Sequence, residues 1–257
     1  MHRSKRAESS TRRVDELLAF DSAMPFGLPD TAGESASLFS CGDASERPGA
    51  VLVGFDEAGR GAVAGPVVVG CVAFDLHELR TSSRVLDALA DVDDSKRLSA
   101  AKRERAFDQI DRHACWSVGS ASSIEIDRLG IVDACAAAAA RAYAALGREA
   151  DIGLFDRGLA LRPDGCAPPG RTVSLTRGDA RSLHIAAASI MAKVFRDRVL
   201  CRLDERLPQY GLAANKGYGT RAHRAAVLKH GPTWAHRRSF VRGWALSTEN
   251  TVDHQFR

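Results

Sequence analysis

The segment AVLVGFDEAGRGAVAGPVVVGCVAFD, residues 50–75, constrains the fold most. Residues 50–59 are a short apolar run that ends in Asp56 and Glu57. Residues 61–75 are rich in valine. Runs of this length and composition read as buried strands. The glycines between them predict a tight turn, so the acid pair sits at the C-terminal end of the first strand. Further along, strand and helix patterns alternate. Residues 98–110 read as a helix capped by Ser99, 114–122 as a strand, 131–147 as an Ala-rich helix stopped by Gly147, and 151–156 as a strand. A strand over 171–179, a long amphipathic helix over 181–207 closed by Pro208, and a helix over 220–231 follow. The alternation predicts an α/β fold with a mixed central sheet.

Residues 1–48 are polar and rich in Ser, Ala, Asp, Glu and Gly, and residues 14–20 (VDELLAF) are expected to make no more than a turn or two of helix. This stretch is expected to be a disordered extension. A catalytic domain is expected over residues 49–246 and a polar tail over 247–257. The basic N-terminus lacks the apolar stretch of a secretory signal, and no run of 18 apolar residues is present. The six cysteines are scattered without metal-ligand spacing, and those in apolar runs, Cys71, Cys135 and Cys201, are expected to be buried free thiols. A cytoplasmic monomer with no membrane partner is the expectation. The net charge of +4 conceals an asymmetry. Residues 1–156 carry 18 Lys/Arg and 25 Asp/Glu, whereas residues 157–257 carry 18 and 7. Such a basic segment suits a polyanionic partner.

The acids fall in a pattern. Asp56, Asp156 and Asp179 each end a predicted strand, and Glu57 follows Asp56. In open α/β sheets, sites lie at the carboxyl ends of strands. Clustered carboxylates are costly unless a cation lies between them, and a set without His or Cys favours hard ions such as Mg²⁺ or Mn²⁺. Such ions serve phosphoryl transfer without a side-chain nucleophile. Each aspartate alone also reads as a loop or helix cap, Asp179 as the N-cap of the next helix. The turn Gly59-Arg60-Gly61 lets a backbone approach a bulky ligand closely, with an arginine for a phosphate and N–H groups for sugar hydroxyls. Tyr218, between glycines and beside Lys216, suits sugar or base contact, or else a core position beside a turn. Lys193, Arg196 and Arg198 either track a nucleic-acid backbone or form a solvated face.

Five blocks resemble the ribonuclease HII family, in family order over residues 50–243. They are DEAGRGAVAGPVVVGCV (56–72), DDSKRLSAAKRE (93–104), GDARSLHIAAASIMAKVFRDR (178–198), PQYGLAANKGYGT (208–220) and HRRSF (236–240), and the last two resemble its bacterial branch. The resemblance implies an RNase H-like fold, a five-stranded mixed sheet flanked by helices with a C-terminal helical segment. It implies hydrolysis of RNA in RNA–DNA hybrids and cleavage 5′ of ribonucleotides within duplex DNA, leaving 3′-hydroxyl and 5′-phosphate ends. It assigns Asp56, Glu57, Asp156 and Asp179 as catalytic metal ligands for Mn²⁺ or Mg²⁺. It assigns Gly59, Arg60 and Gly61 to the ribonucleotide's 2′-hydroxyl and phosphate, and Tyr218 to the RNA–DNA junction. Ser95, Lys96, Lys193 and Lys216 are further candidate substrate contacts. One departure is local: Asp156-Arg157-Gly158 stands where the family has Asp-Gly-Asn. A hybrid nuclease of the ribonuclease HIII type and an inactive nucleic-acid binder on the same fold are the alternatives. The first usually carries a larger folded N-terminal domain, and the second would have lost one of the four acids.

Overall fold

The computed structural model describes residues 2–24, 36–37, 50–92, 95, 98–162 and 168–249. Five strands of five to eight residues form the sheet: β2 (Leu52–Ala58), β3 (Val67–Phe74), β4 (Ala114–Ala121), β5 (Ile152–Asp156) and β6 (Arg171–Leu175). A two-residue strand, β1 (Ala36–Ser37), adds to the edge, giving the order β1-β6-β5-β2-β3-β4. β2–β3–β4 is an antiparallel meander, whereas β5 and β6 run parallel to β2. The mixed sheet expected from the alternation is therefore present, with one short strand more than five.

Helices cover both of its faces. Val53, Phe55, Val67, Val69 and Cys71 pack with the Ala-rich face of α6 (Ile131–Leu146). On the other face, Val72 and Phe74 pack with α7 (Leu183–Arg206) and with α4 (Ala100–His113). α7 lies directly on the sheet. A Cβ built on Gly70 would come within 2.3 Å of the Ala188 carbonyl oxygen, so only glycine admits the helix at this depth. The sequence pattern predicts an amphipathic α7, but every residue from Leu183 to Ala192 is buried. The reason is that this half of the helix is sandwiched between the sheet and other helices, and a helix so placed is apolar all round.

The expected helices carry their expected stops. Ser99 Oγ accepts the Lys102 N–H at the start of α4, and Gly147 takes a left-handed conformation at the end of α6. Three short helices between strands escape the periodic pattern: α2 (Leu76–Thr81), α3 (Ser83–Ala88) and α5 (Ser123–Leu129). Helices this short carry fewer than two turns of periodicity. After Pro208 the chain makes a 3-10 turn, then α8 (Leu212–Asn215), α9 (Arg221–His230) and α10 (Arg238–Glu249). Cys71 and Cys135 are buried, but Cys201 is exposed, because it lies on the outer half of α7.

The N-terminal region departs from the expectation of disorder. Residues His2–Ala23 form a helix, α1, and Val14, Leu17 and Leu18 are buried in the cluster it shares with α3 and α7. Met24 joins a second cluster with Leu52, Leu154 and Ile185. Residues 25–35 and 38–49 of the extension lie outside the described residues.

Candidate active site

The strand register brings the acids together. β2 and β5 pair in parallel with Leu52 beside Ile152 and Phe55 beside Phe155. One further residue sets Asp56 beside Asp156, on neighbouring strands about 5 Å apart. Successive side chains alternate faces. Phe55 packs under α6, and Gly54 lies against the His184 backbone of α7. Asp56 therefore rises on the α7 face and Glu57 on the α6 face, where its charge is felt by Cys135. Asp179 arrives differently from the expectation. β6 stops at Leu175, and Asp179 sits in a 3-10 turn, Gly178–Ala180, ahead of α7. It does not cap that helix: Ser182 Oγ accepts the Ile185 N–H and does so instead. The Gly178 N–H donates to Asp156 Oδ1 at 2.7 Å, which ties the two acid-bearing segments together.

The electrostatics show how close the acids lie. Burial raises the Asp56 carboxyl well above its ordinary range, and the charges of Glu57, Asp156 and Asp179 raise it further. Glu57 is also raised, chiefly by burial, with Arg60 working against the shift and Asp156 adding to it. One oxygen of Glu57, Oε2, is buried with no hydrogen-bond partner among the described residues. No three His, Cys, Asp or Glu side chains among the described residues already converge on one point. Two of the carboxylates are turned onto backbone N–H groups instead, Asp56 Oδ1 onto Glu57 N at 2.7 Å and Asp156 Oδ1 onto Gly178 N. Mutually repelling oxygens and one orphaned acceptor are what a hard divalent cation would relieve, so the donor set fits such an ion.

Beside the acids lies the Gly59-Arg60-Gly61 turn. Arg60 Nη1 donates to the Gly158 carbonyl at 2.9 Å and meets Glu57 Oε1 at 3.4 Å. Arg60 thus spans the strand ends that carry Glu57 and Asp156, and the Arg157-Gly158 departure supplies the carbonyl it uses. Among the described residues, no hydrogen bond takes the N–H of Arg60 or Gly61. The carbonyls of the loop, by contrast, are occupied. Arg237 is fully buried and donates to Gly59 O (2.7 Å), Arg60 O (2.9 Å) and Gly65 O (3.1 and 3.2 Å). Arg196, also fully buried, donates to Ala64 O, Pro66 O and Lys216 O. Neither forms an ion pair with a carboxylate among the described residues. Burial, and next the charge of Arg196, lower the Arg237 guanidinium to about 10, and burial lowers Arg196 as well. The loop therefore turns its oxygens inward onto two cations and leaves the N–H groups of Arg60 and Gly61 without a partner among the described residues.

Arg196 also joins this loop to the Tyr218 segment. Gly217 O accepts the N–H groups of Val63 and Ala64. Gly217 has φ +76°, and a Cβ there would stand 2.3 Å from Ala64 O, so the two loops meet only through glycine. Tyr218 is 39% exposed, with Lys193 Nζ and the Arg196 guanidinium 5.9 and 5.7 Å from its ring centre. The tyrosine is thus presented to solvent rather than kept in the core. Its carbonyl accepts from His223 Nδ1, whose Nε2 meets His236 Nε2 at 3.1 Å, and both imidazoles are buried.

The remaining expected contacts fare unevenly. Ser95 is buried and accepts from Ser189 Oγ at 2.6 Å, so it braces α7 instead of facing solvent. Lys96 lies outside the described residues. Lys193 pairs with Asp197 at 2.7 Å beside Tyr218, and Lys216 Nζ lies 3.6 Å from Cys201 Sγ. Arg196 is not on a solvated face. Arg237 is what sequence reasoning missed, and the role of Arg196 on backbone carbonyls was not foreseen; the only signal for Arg237 was its place within the HRRSF block.

The ribonuclease HII profile matches residues 53–243, about three quarters of the chain. The chain belongs to the ribonuclease HII family. It is 45% identical over 193 residues to ribonuclease HII 1 of Methylibium petroleiphilum, covering 74% of this chain and 89% of that one. Ribonuclease HII of Magnetococcus marinus is 46% identical over 198 residues, covering 76% and 87%. Among solved structures, the PCNA:RNase HII complex from Archaeoglobus fulgidus contains a chain that superposes with a TM-score of 0.56 at 27% identity, covering 73% of this chain and 93% of that one. Membership makes the chain a type 2 ribonuclease H, a hydrolase acting as an endonuclease. All of the site described above, from Asp56 to Arg237, lies inside the matched segment, and α1 lies outside it.

Proposed function

We propose that the chain cuts the phosphodiester on the 5′ side of ribonucleotides in RNA–DNA hybrids and in duplex DNA, single ribonucleotides included, leaving 3′-hydroxyl and 5′-phosphate ends. The observation that carries this reading is the juxtaposition of two parts. Four acids, Asp56 and Asp179 buried and Glu57 and Asp156 half-buried, crowd one sheet end. Directly beside them lies a loop in which the N–H groups of Arg60 and Gly61 take no hydrogen bond among the described residues while two buried guanidiniums hold its carbonyls.

The acids Asp56, Glu57, Asp156 and Asp179 would hold Mn²⁺ or Mg²⁺. When bound, such ions activate water and stabilise the leaving oxygen of an in-line displacement. Mn²⁺ appears in a solved relative of the same fold, the Bst-RNase HIII complex with Mn²⁺. Every other task falls to the chain. The N–H groups of Arg60 and Gly61 are placed to meet a 2′-hydroxyl, the one group that separates RNA from DNA at a single nucleotide. The guanidiniums of Arg196 and Arg237 lie under the loop, so their field favours a phosphate above it. Tyr218 offers a ring face to the sugar or base next to the cut. Lys193, beside that ring, and Lys216 would contact the backbone of the duplex. Arg60 holds Glu57 and the Asp156 strand end at a fixed spacing.

The test is cleavage of a DNA duplex containing one ribonucleotide, with and without Mn²⁺ or Mg²⁺. The wild type cuts only with metal, and Asp56→Asn abolishes cutting. Full activity of that variant would remove the site assignment, and equal cutting of an all-DNA duplex would remove the proposed role of the loop.

A further inference from the structure

α1 lies outside the segment shared with the family, yet its contacts converge on one place. Arg13 Nη2 donates to the Ala180 carbonyl at 2.6 Å. Phe20 lies under the Arg181 guanidinium, 4.7 Å from ring centre to Cζ. Asp21 Oδ2 accepts the backbone N–H of His184 at 3.1 Å and meets His184 Nδ1 at 2.7 Å. Three residues of α1 thus grip residues 180–184, which begin one residue after Asp179. Asp21 caps the first turn of α7 from outside the helix, alongside Ser182, which caps Ile185 N.

The Asp21–His184 contact is fully buried on both sides. The Phe74 N–H donates to His184 Nε2, so the hydrogen of the imidazole sits on Nδ1 and points at Asp21. The second Asp21 oxygen has no partner among the described residues. A buried polar pair with an orphaned oxygen adds little net stability, and the best-attested use of such pairs is to fix one geometry. The same C-terminal end of α1 is pinned from a second side, since Arg80 of α2 donates to the Ser22 carbonyl and hydroxyl. From the gripped turn, the Gly178 N–H continues the connection to Asp156 Oδ1. The path from Asp21 and Arg13 to two of the four acids is therefore a continuous set of hydrogen bonds and one short turn.

We infer that α1 is a positioning element for the acid cluster, with Asp21 and Arg13 as positioning residues that hold the Asp179 turn at the spacing a divalent ion requires. This rests on the four-acid reading above. Residues that orient ligands from behind commonly change metal affinity by about tenfold or more when removed.

The experiment uses the full-length chain with Asp21→Asn and, separately, Arg13→Ala, a change that leaves the buried Asp21–His184 pair intact. Mn²⁺ affinity is read from the spectrum of free Mn²⁺ in electron paramagnetic resonance, and local order from amide exchange. We expect Mn²⁺ to bind about tenfold more weakly in Asp21→Asn and by a smaller factor in Arg13→Ala. Amides of residues 178–186 should exchange about tenfold faster while those of β3 and β4 do not. The rate at saturating Mn²⁺ and KM for the duplex should stay within about twofold, because neither residue touches substrate. Unchanged Mn²⁺ affinity, with exchange either unchanged or raised uniformly across the chain, would overturn the inference and leave α1 a general stabiliser. If Asp21→Asn does not fold, Arg13→Ala decides by the same criteria. Asp56→Asn is the control: if the wild type and this variant bind Mn²⁺ alike, the four-acid reading fails and the inference falls with it.

Discussion

Removing the Arg237 guanidinium separates stability from function in this fold. In Arg237→Met, the Arg60 carbonyl loses its one partner among the described residues. Gly59 O keeps the Ala62 N–H, and Gly65 O keeps only a 3.3 Å contact with the Ser123 hydroxyl, whose shorter bond, 2.7 Å, goes to Ala235 O. One orphaned acceptor costs about 2 kcal/mol, and two lost but partly replaced bonds cost about 1 kcal/mol each. Against this stands relief from burying a cation. The guanidinium is lowered from 12.5 to about 10, a gap worth about 3 kcal/mol at 1.36 kcal/mol per pH unit. The net loss is about 1 kcal/mol, or about 2–4 °C in Tm for a chain of this size. Activity should respond far more. The carbonyls of Gly59 and Arg60 set where the neighbouring N–H groups point, and a displacement of about 1 Å beside a reacting centre can lower the rate about a hundredfold. We therefore expect kcat/KM on a one-ribonucleotide duplex to fall about a hundredfold in Arg237→Met while Tm barely moves. Arg237→Lys should fall between, because one ammonium cannot reach three carbonyls in the plane that a guanidinium fork spans. The assays are thermal melting and steady-state cleavage on the same preparations. Cleavage by Arg237→Met within threefold of wild type would refute the reasoning, as would full activity of Arg237→Lys, since charge alone would then suffice.

Asp56→Asn should also raise the Tm of the metal-free protein by a few degrees while destroying activity, because it removes a buried charge that three neighbouring carboxylates oppose. Melting in excess chelator checks this, and a lower Tm would count against the acids facing one another. Gly70→Ala should cost about 2–3 kcal/mol, since its methyl group meets the Ala188 carbonyl of α7; an unchanged urea midpoint would mean that α7 sits farther from the sheet. Acid should weaken the Tyr218 support. Burial, and then the charge of His223, hold His236 down at about 4, below the ordinary histidine value. Between pH 6.5 and about 4 the unfolded chain takes up a proton that the folded chain refuses, so this contribution is complete above pH 6.5 and shrinks as pH falls. At pH 5 the loss is about 2 kcal/mol at most. Urea midpoints of wild type and His236→Gln at pH 7 and pH 5 test it, and an equal drop in both proteins would exclude His236 as the cause.

Legibility in the sequence followed how local each interaction is. β2 and β5 were readable because a short apolar run ending in charge is a local pattern, and the parallel register then set Asp56 beside Asp156. α4, α6 and α9 were readable because their caps, Ser99, Gly147 and Gly231, lie next to the periodicity they close. Asp179 was legible as an acid near a strand end but not in its geometry, because the 3-10 turn at Gly178–Ala180 depends on Gly178 reaching Asp156, 22 residues away. α1 was not legible for the same reason carried further. VDELLAF shows two turns of apolar spacing, whereas what holds that helix in place is a carboxylate meeting an imidazole 163 residues on.

The buried arginines show why the half of the site proposed to read substrate is harder to see than its acid half. A carboxylate announces its partner through the repulsion it needs relieved, so four acids at one sheet end call for a cation whatever surrounds them. Arg196 and Arg237 are satisfied by backbone carbonyls, a partner that every residue supplies and that no sequence pattern marks. An arginine therefore reads as a phosphate contact or a solvated face until the chain path is known. Once it is known, the two guanidiniums account for a feature that Gly59-Arg60-Gly61 alone does not. Glycines permit many loop conformations, and inward-turned carbonyls select one in which the N–H groups of Arg60 and Gly61 are left free of hydrogen bonds among the described residues, close to Glu57. In the proposed function, specificity for a single hydroxyl would then depend on two cations that never touch it.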